Sequence, residues 1–351
     1  MSRQLIDIAG HKVGPGQPCF IIAEAGVNHN GSLELAHQLV DAAVRAGADA
    51  VKFQTFKAER LVSPDAPKAD YQLHTTDATE SHFEMIRRLE LSPDMHRDLK
   101  TYCGDRGILF MSSPFDEESA DLLAELDVAV FKIPSGEITN IPLLHHVALK
   151  GKPMIVSTGM AYLSEVEAAV RAIQEAGNQQ YVLLHCVSNY PADPADVNLR
   201  AMGTMSVAFG APVGYSDHTM GTEMPIAAVA MGANVIEKHL TLDRALPGPD
   251  HVASLEPGEF AAMVGGIRNV ESAMGHGRKE PAKSEANTAS VARKSLVAAR
   301  DIPAGTILTE GMIAFKRPGT GLPPVMLPHL LGRTVRAEIP EGTLISLELL
   351  A

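Results

Sequence analysis

Two histidines stand where apolar runs give way to polar residues: His218 in VGYSDHTMG and His239 in VIEKHLTL, twenty-one residues apart. If both runs are neighbouring strands, their imidazoles suit a divalent metal that keeps positions open for other ligands. Two lysines lie between apolar neighbours, Lys52 in VKF and Lys132 in FKI. A lysine in such a strand must reach a polar mouth or be left unsatisfied. With hydroxyls at Ser113, Ser135, Ser157, Ser188 and Ser216 they form a set suited to a phosphate and a carboxylate. The carboxylates Glu24 and Glu137 could act as acid, base or hydroxyl acceptors.

Each of these residues falls near the end of a short β-rich run. The runs are Phe20–Gly26, Ala50–Phe56, Ile108–Phe115, Ala129–Glu137, Pro153–Met160, Tyr181–Ser188, Ala211–Thr219 and Val235–Leu242. They are apolar at their starts and polar at their ends, as expected of strands covered on both faces. Helix-like segments lie between them. SLELAHQLVDAAVRAGA has Ser32 as N-cap and Gly47 as stop, and SEVEAAVRAIQEAG has Ser164 and Gly177 in the same roles. Successive strands start 30, 58, 21, 24, 28, 30 and 24 residues apart. Most of these spacings fit one βα unit. The first βα turn, AEAGVNHNG, lacks the GxGxxG of a doubly wound sheet. The pattern therefore predicts an α/β fold, a (β/α)8 TIM barrel, with its chemistry at the C-terminal strand ends. The long spacing after the second strand places residues 57–89 over that face as a lid.

Residues 1–276 form the predicted barrel, 277–293 a polar linker, and 294–351 a small β-rich domain with two IP(A/E)GT turns. That domain is short for a core of its own, so docking on the barrel or on a partner subunit is expected. The net charge of −12 and the absence of Trp argue against nucleic acid as a partner. The sequence has no apolar run long enough for a membrane span and no visible secretory signal, and its three scattered cysteines fit reduced thiols. A cytoplasmic protein with no membrane partner is expected.

Ordinary roles also account for some of these residues. His185 is read as structural, Lys238 as an outward ion-pair member, Glu237 as support for its neighbours, and Asp217 as the residue that holds its turn. A lysine on a barrel strand, Lys132 or Lys238, also permits a Schiff-base aldolase. The tail alone permits a carbohydrate- or ice-binding protein, which leaves the polar strand ends unexplained.

The motifs IIAEAGVNHNGSLELA, VKFQTF, SSPFD, KIPSGE, STGM, GYSDHT, EKHLTLD and PGPDHVASLEP occur in order. Over essentially its whole length the chain resembles the sialic acid synthase family, the phosphoenolpyruvate-condensing nonulosonate synthases. The IPAGTILTEGMIAFKRPGTG tail resembles the antifreeze-like (SAF) domain that ends them. The resemblance implies a metal held by His218 and His239, most often Mn2+, with Mg2+ or Co2+ as substitutes. It implies phosphoenolpyruvate at Lys52, Ser113, Lys132, Ser135, Ser157, Ser188 and Ser216, and an amino sugar around Glu24, Gln54, Glu137, Tyr190 and Asp250. It implies a domain-swapped homodimer in which Arg317 reaches the neighbouring subunit's active site. The run CVSNYP departs from the Thr-Asn-X-Tyr-Pro of N-acetylneuraminate-making members: Ser188 takes the place of the Asn and Asn189 follows it. Either N-acetylmannosamine, free or 6-phosphorylated, or a 2,4-diacetamido-2,4,6-trideoxy sugar leading to legionaminic acid then fits as acceptor.

Overall fold

The computed structural model describes residues 5–77 and 79–351. Eight parallel strands form one sheet: β1 (Phe20–Gly26), β2 (Ala50–Thr55), β3 (Leu109–Pro114), β4 (Phe131–Ile133), β5 (Met154–Ser157), β6 (Tyr181–Cys186), β7 (Val213–Asp217) and β8 (Val235–His239). Their order is β3-β2-β1-β8-β7-β6-β5-β4, and β3 and β4 close the ring side by side. This is a nearly closed TIM-like barrel with helices between its strands. Among the described residues no helix is long and apolar enough to cross a membrane.

Strand alternation sorts each side chain. Inward positions in the lower layers are apolar: Phe20 and Ile22 on β1, Met111 on β3, Ile155 on β5, Val182 and Leu184 on β6, and Val235 on β8 pack as one buried cluster. An antiparallel hairpin, Ile6–Ile8 with His11–Val13, adds Ile6, Ile8 and Val13 to that cluster and plugs the end where the strands begin. A Cβ at Gly214 on β7 would lie 2.3 Å from the Val235 carbonyl oxygen, so only glycine permits this layer to close. Outward positions such as Ile21, Phe53, Leu183 and Tyr215 belong to the larger cluster beneath the helices.

The helix Leu33–Ala46 follows its sequence signals. The Ser32 hydroxyl accepts from Leu35 N–H, Gly47 ends the helix at φ 79°, and Ala36, Leu39, Val40 and Ala43 face the barrel. In the helix Leu163–Glu175 the expected cap is displaced. Ser164 lies inside the first turn and Tyr162 is the capping residue, its N–H donating to Glu165. The glutamate three residues on satisfies that N–H, so the second half of a capping box works without the hydroxyl.

The strands are shorter than their apolar runs. In Ala129–Glu137 only Phe131–Ile133 pairs, because Pro134 has no N–H for the ladder and Ser135–Glu137 turns into a 3₁₀ helix. The long spacing after β2 carries three short helices, Ala58–Leu61, Asp70–Thr75 and His82–Arg88.

The chain divides after Gly275, and the second unit runs His276–Ala351. It begins with an exposed stretch bearing a 3₁₀ turn, Lys283–Glu285, and a helix, Ala286–Ala292. Strand Ser295–Ala298 then pairs antiparallel with Ile313–Lys316. The unit does close a small core of its own, with Leu296, Ile302, Leu308, Val335, Ile339 and Ile345 buried.

Candidate active site

Above the apolar layers the inward positions turn polar. Lys52 on β2 and Glu24 on β1 are opposite each other in register, as are Glu24 and His239. The Lys52 ammonium pairs with Glu24, lies 3.7 Å from Glu237 and donates to the Ser113 hydroxyl at 3.0 Å. From β4 the Lys132 ammonium lies 3.4 Å from the other oxygen of Glu237. The Ser216 hydroxyl donates to that same oxygen at 2.9 Å. Glu24, Lys52, Lys132 and Glu237 are each no more than 4 % exposed, so two ammoniums and two carboxylates share a dry floor. Burial pushes the Glu24 carboxyl up to about 7, with Lys52 opposing and Glu237 reinforcing the shift. Burial also raises Glu237, but Lys132 and Lys52 outweigh it and hold that carboxyl below its usual range. Burial lowers Lys132, whereas in Lys52 the two glutamates overcome burial and raise the ammonium.

Hydroxyls surround this floor. The Ser157 hydroxyl is buried without a hydrogen-bond partner. Ser135 accepts from Gly159 N–H at 3.0 Å. A Cβ at Gly159 would lie 2.3 Å from the Ser188 hydroxyl and 2.7 Å from that of Ser135, so glycine lets the two approach. Gln54 donates to Glu24 at 3.5 Å.

The two imidazoles lie with ring centroids 5.4 Å apart. His218 Nδ1 is 2.7 Å from the Val187 carbonyl, which can only accept, so Nδ1 carries a proton. Burial alone would lower this imidazole, but the neighbouring Cys186 outweighs it and raises the group above its usual range. His239 Nδ1 is buried with no hydrogen bond, and Asp250 Oδ2 is 3.9 Å away. Burial, then the positive charge around it, drives His239 well below the usual imidazole range, so it stays neutral. Burial pushes Asp250 up to about 6. Among the described residues no cluster of three or more His, Cys, Asp or Glu forms a closed metal shell. Two imidazoles, one of them neutral and with an orphaned nitrogen, fit a divalent ion whose remaining ligands are oxygens from water or substrate.

Residues between these groups hold them in place. Asp217 and Lys238, the outward neighbours of His218 and His239, form a fully buried pair at 2.5 Å. Asp217 also accepts from Tyr215 OH and from Thr219 N–H, so it holds the turn as expected and ties β7 to β8 as well. His185 contacts the Val197 carbonyl at 2.5 Å, a structural role. The loop carrying Asp250 is tied to the first βα loop: Asn28 donates to Leu240 O and to the Ser254 hydroxyl, which donates to Asp250 O.

The charged floor, its ring of serine hydroxyls and the two imidazoles open into one cavity of about 340 Å³. It brings together every candidate named from the sequence except Glu137 and Arg317. Glu137 is half-buried beside the mouth, accepting from Asn140 at 2.7 Å. Arg317 belongs to the second unit, where its Nε donates to Ala292 O. Glu237, expected to support its neighbours, is itself part of the floor, because a two-residue step on one strand puts it on the face of His239. The sequence pattern does not single out Asn28, Cys186 or Tyr71. Cys186 also lines the cavity, with Sγ 3.8 Å from His218 Nδ1. Tyr71, from the 57–89 insertion, packs on Tyr190 with centroids 5.2 Å apart, and Tyr190 in turn packs on His218 at 4.0 Å. Leu61, Tyr71, Gln72, Ile86 and Leu89 of the insertion line the same cavity, as a lid would.

Over 334 residues, 94 % of each chain, the protein is 48 % identical to the N,N'-diacetyllegionaminic acid synthase of Legionella pneumophila. It is 49 % identical to the synthase of the same name from Campylobacter jejuni, over 93 % of this chain and 98 % of that one. The crystal structure of the N-acetylneuraminic acid synthetase of Leptospira borgpetersenii in complex with citrate superposes with a TM-score of 0.72 at 38 % identity, covering 82 % of this chain and 95 % of that one. The NeuB family model matches residues 39–279 and the SAF domain model residues 293–351. With a polar-topped barrel and a matching tail, the chain belongs to the NeuB family and ends in a SAF domain.

Proposed function

We propose that this protein condenses phosphoenolpyruvate with an N-acetylated amino sugar, giving a nine-carbon 2-keto-3-deoxy sugar acid and phosphate. The observation that carries the reading is the floor of Lys52, Lys132, Glu24 and Glu237 in one cavity with the two imidazoles. Phosphoenolpyruvate presents a phosphate and a carboxylate. Lys52 and Lys132 neutralise them, and the hydroxyls of Ser113, Ser135, Ser157, Ser188 and Ser216 donate to their oxygens. Ser157, unpartnered in the free site, gains a partner this way. Gln54, Tyr190 and Asp250 hold the acceptor's hydroxyl and acetamido groups.

C3 of phosphoenolpyruvate bonds to the aldehyde carbon of the open-chain sugar. The aldehyde oxygen becomes a hydroxyl by taking a proton from Glu24, whose carboxyl at about 7 holds one near neutrality. Water adds at C2 and returns a proton to the site. The C2–O bond to phosphate then breaks, phosphate leaves with its bridging oxygen, and the water oxygen remains as the ketone. Glu137, off the cavity lining, is the less suited of the two glutamates. His218 and His239 would hold a divalent metal, Mn2+ in the first instance, which supplies Lewis-acid polarisation of a carbonyl oxygen.

Among acceptors, a 2,4-diacetamido-2,4,6-trideoxy hexose is favoured by the two relatives at 48 % and 49 % identity, both named N,N'-diacetyllegionaminic acid synthases. Pairing with a second copy whose SAF domain brings Arg317 to the site completes the proposal. Phosphate release from phosphoenolpyruvate across candidate sugars, with manganese, tests the reading. Trapping by borohydride on Lys132, with indifference to chelator, would favour a Schiff-base aldolase instead.

A further inference from the structure

We infer that the 57–89 insertion reads the end of the acceptor remote from its aldehyde, and that it selects apolar substituents and rejects charge. The inference rests on the proposed reaction and concerns the other wall of the same cavity. Phe56, Leu61, Ile86, Leu89 and Phe115 all line that cavity. They belong to a separate hydrophobic cluster built around buried Met85. One side of the cavity is therefore hydrocarbon, supplied largely by the insertion, while the other is the charged floor.

The cations are distributed accordingly. Lys52 and Lys132 are the cavity's only lysines or arginines among the described residues, and both stand on the floor beside Glu24 and Glu237, where phosphoenolpyruvate is proposed to bind. The insertion carries basic residues of its own, but none of its lysines or arginines lines the cavity, and Arg87 is exposed. Lys57 pairs with Glu90, Arg60 with Glu118 and Arg88 with Glu80, while Lys68 donates to Thr76 and to the Asp77 carbonyl. Besides its apolar side chains the insertion adds only Tyr71 and Gln72 to the lining among the described residues, neither of which carries a positive charge. Against the barrel's own residues a phosphate at the far end of the sugar would be desolvated on hydrocarbon, with no counter-charge from the wall. A methyl group there, in place of a hydroxymethyl, and the methyl of a second acetamido group, would instead be removed from water. The wall thus specifies a 6-deoxy, doubly acetamido-bearing acceptor.

The test measures kcat/KM with phosphoenolpyruvate for three acceptors: 2,4-diacetamido-2,4,6-trideoxymannose, N-acetylmannosamine and N-acetylmannosamine 6-phosphate. The expected order is as written, with about tenfold or more at the first step, the scale of an apolar pocket choosing between near-isosteres. Ile86→Asn and Leu61→Asn should each lower the first value about tenfold, mainly through the acceptor KM, and compress the ranking. Both side chains are only partly buried, and a thermal melt checks that each variant folds. Ile86→Lys should raise use of the 6-phosphate. The inference is overturned if N-acetylmannosamine or its 6-phosphate is the best wild-type acceptor, or if the wall variants change all three values equally. Absence of turnover with every acceptor would instead defeat the proposed reaction, and this inference with it.

Discussion

Replacing Glu237 by glutamine keeps the side chain's shape and removes one negative charge from the barrel floor. In the wild type its two oxygens lie 3.7 Å from Lys52 and 3.4 Å from Lys132, and it accepts from Ser216 at 2.9 Å. All four groups are nearly inaccessible to water. Breaking a buried ion pair from one side costs about 3–5 kcal/mol, because the remaining charge stays desolvated. Glu24 still faces Lys52, so the lower part of that range applies, about 3 kcal/mol. The barrel unit, which ends at Gly275, has an unfolding entropy of about 0.6 kcal/mol per kelvin, scaled at about 2.1 cal/mol/K per residue. The predicted fall in Tm is therefore about 5 °C. Phosphoenolpyruvate can replace the missing negative charge, so the rise in Tm it produces should be larger in Glu237→Gln than in the wild type. Differential scanning fluorimetry with and without phosphoenolpyruvate reads both quantities. A variant that melts with the wild type and gains no more from phosphoenolpyruvate would refute the claim that Glu237 balances the two lysines.

Lys238→Met alone should destabilise the barrel by about 3–5 kcal/mol, while the double change Asp217→Leu with Lys238→Met should recover much of that loss. A calorimetric double-mutant cycle checks this, and additive losses would contradict it. Excess chelator should abolish phosphate release, and manganese should restore it. His218→Ala or His239→Ala should weaken Mn2+ binding in isothermal titration calorimetry, and turnover in excess chelator would exclude the metal role. His29 and His251 are fully buried, and burial lowers both imidazoles to about 4, below the roughly 6.5 of an unfolded chain. Between those values the unfolded state binds more protons, so this stability is complete above about pH 6.5 and is lost as pH falls through 4. Each group contributes on the order of 3 kcal/mol, and His29→Asn should flatten the acid limb of a Tm–pH curve.

Much of the barrel was legible because apolar-to-polar order along each run maps directly onto layers of the interior. Lys52 could be placed inside from its apolar neighbours alone, and the structure sets it beside Glu24 and Ser113. The positions misread have local causes. Ser164 carries a capping hydroxyl, but Glu165 satisfies the free N–H of Tyr162, two residues before that serine. Glu237, a glutamate beside a lysine and a histidine, resembles a surface ion-pair member until strand alternation is followed through. The lid's wall was the least visible part. Ile86 and Leu89 lie three residues apart on one helix and its C-cap, but Leu61 sits in a separate short helix across irregular chain, so no hydrophobic period relates it to them, and only tertiary packing brings all three to one cavity.

The most direct test of the proposed reaction follows the bridging oxygen of phosphoenolpyruvate. Phosphoenolpyruvate labelled with 18O between C2 and phosphorus would be turned over with the diacetamido acceptor and manganese, and both products weighed by mass spectrometry. Condensation with water adding at C2 predicts that the label leaves in inorganic phosphate and that the nine-carbon keto acid is unlabelled. Label retained in the sugar acid's ketone, or pyruvate released without a nine-carbon product, would contradict the account.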